Sequence, residues 1–123
     1  MPEGEKTDAR ELVVHLWSAI DAHDWEGLAD LLSENFRCAF PQSGEIFSKE
    51  KYLRLNYEYP GDWRVIPSRI FVDTPWVISE VDVEIDGRVD RAVSFFRVEE
   101  GRITELREYW PDPFGVPEWR KNW

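Results

Sequence analysis

Two short turns constrain this chain more than any other feature. They are "DG" at 86–87 and "EEG" at 99–101, each flanked by runs that alternate apolar and polar residues. Asp-Gly between such runs signals a two-residue type I′ hairpin, because both turn positions need a left-handed backbone. It pairs Ile85 with Arg88, Val83 with Asp90 and Val81 with Ala92. "EEG" reads as a three-residue loop with Gly101 left-handed, pairing Val98 with Arg102, Ala92 with Glu108 and Asp90 with Trp110. Both registers sort the residues onto the same two faces. One carries Val77, Ser79, Val81, Val83, Ala92, Ser94, Phe96, Leu106 and Trp110, with Asp90 and Glu108 as its acids. The other carries Glu80, Asp82, Glu84, Arg91, Arg97, Glu105 and Arg107, with Asp82 opposite Arg91. Cross-strand charge pairs contribute about 0.2–1 kcal/mol each and mark a wet or partner-facing side, so the apolar face is the core side.

Upstream, the apolar pattern is helical. Thr7 or Asp8 caps a helix running to about Ala22, with Leu12, Val13, Leu16, Trp17 and Ile20 on one stripe. Asp24 caps a second helix with Trp25, Leu28, Leu31 and Leu32 on its apolar face. "FRCAF" at 36–40 is a short strand ended by Pro41, "PQSG" is a turn, and "EIF" a brief strand. Ser48 caps a third helix to about Tyr59. Strands follow at 63–73, 76–85, 88–98 and 102–110. This order predicts an α+β fold with helices on one side of an antiparallel sheet. We expect one domain over 1–123, with a frayed polar end at 1–6. The Pro- and Trp-rich tail at 111–123 cannot continue the strand. It carries Phe114, Trp119 and Trp123, so we expect it to fold back over the body of the domain or across a partner.

Charge and composition remove several classes. A net charge of −10 repels nucleic acid and anionic membranes. No apolar run approaches the roughly 18 residues of a membrane span, and "MPEGEKTDARE" has no apolar signal core, which points to the cytoplasm. One cysteine, Cys38, fits a reducing compartment, and with His15 and His23 as the other soft ligands no metal site is expected. His15 lies off the apolar stripe and reads as a solvated histidine. Seven Trp, seven Phe and four Tyr are many rings for a small domain; they can fill a core, line a cavity or build a subunit interface.

Glu108 is the residue that needs explaining. It stands between Leu106 and Trp110 on the core face, where a lone carboxylate costs several kcal/mol unless paired, hydrogen-bonded or protonated. Asp90, diagonally across, would help raise its pKa, which is how general acids and bases arise. The alternative is a structural ion pair with an arginine such as Arg69.

The segments "AIDAHDWEGLADLLSENFRCAFP" and "FFRVEEGRITELREYW" resemble the SnoaL-like, polyketide cyclase-like branch of the nuclear transport factor 2-like superfamily, with a likeness over about residues 8–112. The resemblance implies a cone-shaped α+β barrel, three N-terminal helices packed on a strongly curved, mainly antiparallel sheet with a pocket between sheet and first helix. It also implies a homodimer, which we expect through the outer sheet face with Trp76, Ile78, Val93 and Phe95. Such proteins include isomerases, cyclases, hydratases and epoxide hydrolases, and also proteins that only bind. The positions matching the ketosteroid isomerase residues are Leu16, Ser94 and Phe40, which cannot perform that chemistry. The aspartate that follows the aromatic pair in cyclase and epoxide hydrolase relatives is here Pro111, with Asp112 one residue later. Of the epoxide hydrolase pair, Asp82 survives on the outer face and Glu80 replaces the arginine.

Three readings remain open. One is a cofactor-independent acid/base enzyme with Glu108 as acid or base, Asp90 tuning it and Ser94 hydrogen-bonding. Leu16, Trp17, Phe40, Phe96, Leu106 and Trp110 would hold a small hydrophobic or aromatic molecule. The others are a non-catalytic small-ligand binder and a dimeric scaffold with a filled core.

Overall fold

The computed structural model describes residues 8–112 and 114–123; Thr7 and the end expected to fray lie outside them. Helix α1 spans Ala9–Ala22 and is capped by Asp8, whose carboxylate accepts from the Arg10 N–H at 2.8 Å. Its buried stripe, Leu12, Val13, Leu16, Trp17, Ala19 and Ile20, follows the helical repeat. His23 ends it in the left-handed conformation, and His15 is exposed as expected. Asp24 caps α2, Trp25–Leu31, by accepting from the Gly27 N–H at 3.0 Å. Ser48 caps α3, Lys49–Glu58.

The strands are β1 Leu32–Phe40, β2 Glu45–Ser48, β3 Trp63–Asp73, β4 Trp76–Ile85, β5 Arg88–Glu99 and β6 Arg102–Tyr109. β1 begins four residues earlier than its alternation suggested. The sheet order is β2-β1-β6-β5-β4-β3, with β1 and β6 parallel and the other neighbours antiparallel. The expected barrel is therefore an open, mixed sheet ending at β2 and β3, with the three helices packed on it as an α+β cone. Asp21 fastens α1 to β3 by accepting from the Val65 N–H at 2.8 Å and from Arg64.

The first hairpin has the expected register: Ile85 faces Arg88 and Val81 faces Ala92, around a left-handed Asp86–Gly87 turn. The second differs. Glu100 joins Gly101 in the left-handed region, so the loop has two residues and Glu99, not Val98, faces Arg102. An irregularity between Arg97 and Val98 then places Glu108 opposite Ser94 rather than Ala92. A two-residue slip preserves every face, because side chains alternate with that period. Val77, Ser79, Val81, Ala92, Ser94, Phe96, Leu106 and Glu108 are all buried, while Asp82 meets Arg91 on the outer face at 3.1 Å. Trp17 packs edge-on against Phe96, centroids 6.0 Å apart, a contact worth about 0.5–1.5 kcal/mol beyond burial.

The tail meets one half of its expectation with a different arrangement. Phe114, Trp119 and Trp123 are exposed, Trp123 at 92%, so these rings do not pack on the cone, and packing across a partner stays an expectation. Beyond a short 3-10 turn at Glu118–Arg120, Trp119 and Trp123 pack on each other at 5.4 Å. Proline fixes φ and removes a donor, and none of the described tail residues, 111–112 and 114–123, lies in a strand.

Candidate functional site

Between the helices and the concave sheet face lies a cavity of about 580 Å³, within the usual range for small-molecule sites. Its depth comes from Trp17 and Ile20 of α1, Tyr52 of α3, and Trp63, Val65, Val83 and Ile85 of the sheet. Phe40, Leu55, Asn56 and Trp110 form half-buried walls. Gln42, Ser43, Glu45, Tyr59, Pro111 and Asp112 are exposed and frame the mouth.

Glu108 lines this cavity while only 3% exposed. Ser94 Oγ donates to its Oε2 at 2.7 Å, and Trp110 Nε1 donates to its Oε1 at 3.0 Å. The two-residue slip in the second hairpin is what sets Ser94 beside it. Arg69 lies instead on the exposed side, 3.9 Å from Glu80, so the ion-pair alternative for Glu108 falls. Burial raises the Glu108 pKa above the usual carboxylate range, and the two donors pull it back only in part. Both protonation states can be satisfied. The serine hydroxyl can turn from donor to acceptor when the acid takes up a proton, whereas the indole only donates.

Two further titratable groups feel this carboxylate. Burial, then the Glu108 charge, then Cys38 raise the Tyr52 phenol well above its ordinary value. Burial and the Glu108 charge likewise keep the Cys38 thiol protonated, so it is no nucleophile. Asp90 also lines the cavity, but it is held by Arg88, whose Nε sits 3.2 Å from Oδ1. The pairing of Asp90 with Trp110 inferred from the longer loop does not form: β6 ends at Tyr109, opposite Val93.

The candidate residues thus divide. Trp17, Phe40, Asp90, Glu108 and Trp110 line the cavity together. Ser94 stands behind Glu108 as its hydrogen-bond partner, fully buried. Leu16, Phe96 and Leu106 are packed into the core and do not line it. Sequence reasoning missed the wall from α3. Tyr52, Leu55, Asn56 and Tyr59 recur at i, i+3, i+4 and i+7, so that face was readable as a helical stripe. Among the described residues, no group of three or more His, Cys, Asp or Glu is placed to hold a metal ion. No described helix is long and apolar enough to cross a membrane.

An α+β cone with a cavity between its sheet and helices defines the nuclear transport factor 2-like class of fold. Within that class the chain belongs to the SnoaL-like domain family, which matches residues 13–106. It is similar to a proposed ketosteroid isomerase from Kribbella flavida DSM 17836, at 30% identity over 89% of this chain and 82% of that one, TM-score 0.85. It is also similar to a nuclear transport factor 2-like protein of unknown function from Burkholderia xenovorans LB400, at 28% identity over 94% and 91%, TM-score 0.81. A limonene epoxide hydrolase-like enzyme of M. tuberculosis shares the fold at 20% identity over 87% and 85%, TM-score 0.71. No curated protein matches the chain significantly.

Proposed function

We propose that this protein binds a small, largely apolar molecule in the cavity and that Glu108 meets its polar end and exchanges a proton with it. The observation carrying this reading is a buried carboxyl on the wall of an aromatic-lined cavity, held by a serine and an indole rather than by an arginine. Ser94 and Trp110 orient the acid, and the rings exclude water from it. Such a site supports acid/base chemistry of isomerase, cyclase or hydrolase type without a cofactor, with Glu108 supplying about 10²–10⁴-fold.

The test has two parts. Carbon NMR titration of the Glu108 carboxyl should give a pKa above the ordinary carboxylate value, moving when indole is added as an apolar probe. Any molecule that co-purifies should then be converted by the protein and not by Glu108→Gln. An ordinary pKa that ignores the probe removes the proposal.

Binding without catalysis is the second reading. It is favoured by Leu16, Ser94 and Phe40 at the positions matching the isomerase residues, and is supported if both proteins hold the molecule unchanged. The homodimer through the outer sheet face belongs to the same proposal, and sedimentation at micromolar concentration checks it.

A further inference from the structure

The deep part of the cavity wall offers few free hydrogen-bond donors. All three indole N–H groups on it are engaged: Trp17 to Ser79 Oγ at 3.0 Å, Trp63 to the Tyr59 carbonyl at 3.3 Å, and Trp110 to Glu108. Asn56 Nδ2 donates to the Tyr52 carbonyl at 2.9 Å, and Ser43 Oγ to Glu45 at 2.6 Å. Arg88, the one cation lining the cavity among the described residues, points its Nε at Asp90. What remains is the second Asn56 N–H, the Gln42 amide, the tyrosine hydroxyls and the outer N–H groups of Arg88, and of these only Tyr52 is fully buried. Acceptors are plentiful by contrast: the spare lone pairs of Glu108, the Asn56 side-chain oxygen, and the Glu45 and Asp112 carboxylates at the mouth.

Charge has the same bias. Glu45, Asp90, Glu108 and Asp112 line the cavity against one arginine, and that arginine is already paired with Asp90. Six rings complete the wall: Trp17, Phe40, Tyr52, Tyr59, Trp63 and Trp110. Aromatic faces attract organic cations, most strongly where water is excluded. The net charge of −10 draws cations to the protein at long range. A ligand placing a carboxylate or carbonyl deep in the cavity would find few donors there and a repelling field. One ending in a protonated amine would find acceptors, ring faces and an uncompensated acid.

We therefore infer that the ligand of this cavity is a hydrophobic amine, with its ammonium group donating to Glu108 and its apolar body held among the rings. This rests on the reading of the cavity as a small-molecule site and names the ligand class. On binding, the ammonium stabilises the Glu108 carboxylate, and the proton of the buried acid leaves to solvent. The titratable and charged groups around it are Tyr52 from α3, Tyr59 just after it, Cys38 from β1, Glu45 from β2, Arg88 and Asp90 from β5, and Asp112 at the mouth.

Three probes of similar size test the inference: N,N-dimethylbenzylamine, cationic at neutral pH, its uncharged isostere isobutylbenzene, and the anion phenylacetate. Their binding is followed by tryptophan fluorescence and amide chemical shifts at low salt. The amine should bind about tenfold or more tighter than either other probe. Glu108→Gln should weaken the amine by about tenfold and leave isobutylbenzene unchanged. Asp112→Asn, at an exposed position, should weaken the amine alone by about two- to threefold. Isobutylbenzene or phenylacetate binding as tightly as the amine overturns the amine inference and leaves the cavity reading intact. Failure of all three to perturb the cavity residues overturns both.

Discussion

Glu108 and Asp21 are both carboxylates that accept from two groups, yet their surroundings drive them in opposite directions. Glu108 accepts from two neutral donors and has lost nearly all contact with water, so burial wins and its pKa rises. Asp21 also feels burial, but the Val65 N–H and the Arg64 guanidinium outweigh it, and its pKa falls. A similar number of hydrogen bonds therefore goes with a raised pKa in one place and a structural tie of lowered pKa in the other. A formal positive charge and access to water decide which. Asp82 is a third case, an outer-face acid beside Arg91 with its pair largely in solvent.

The largest expected effect comes from replacing Glu108 by an apolar residue. Glu108→Leu strands the Ser94 hydroxyl and the Trp110 N–H, and should destabilise the protein by about 2–4 kcal/mol in urea unfolding. No loss would mean that water already serves both donors. Asp21→Ala removes the partner of the Val65 N–H and should cost about 1–2 kcal/mol at neutral pH. Because the folded Asp21 pKa is depressed, its contribution is present above the unfolded value of about 3.9 and fades as pH falls through the folded one.

The third experiment uses the opposite sign. Glu108 has a raised folded pKa, so the wild type carries no ionisation penalty below about pH 4.3 and a growing one as pH rises through the folded value. Glu108→Gln, which keeps the shape and can accept from Trp110 while donating to Ser94, removes that penalty. It should stay within about 1 kcal/mol of wild type in acid and gain on it with rising pH. A difference that is flat from acid to neutral pH would erase the contrast with Asp21. The smallest effect belongs to Asp82→Asn, expected to change stability by less than about 0.5 kcal/mol and to shrink further in salt.

Much of the frame was legible before any coordinates. Alternation from Trp76 to Tyr109 and two glycine turns assigned the sheet faces, and Thr7 or Asp8, Asp24 and Ser48 marked three helix starts, of which the side-chain hydrogen bonds of Asp8, Asp24 and Ser48 are the caps. The loop at Glu100–Gly101 was misread by one residue. A glutamate is a poor advertisement for a left-handed turn, and the compensating irregularity upstream leaves no mark in the pattern.

What the sequence determined by itself was direction: that Glu108 points inward, that Asp82 points outward, and that helices cover one face. Those follow from local periodicity and turn chemistry, which act over a few residues. The tertiary structure alone decided that Ser94 holds Glu108 and that α3 supplies a cavity wall. It also decided that Leu16, Phe96 and Leu106 are packed while Trp17, Phe40 and Trp110 face open space. Whether a core residue meets a neighbour or a void depends on how helices far apart in the chain fill the concave sheet, and no local pattern encodes that distance.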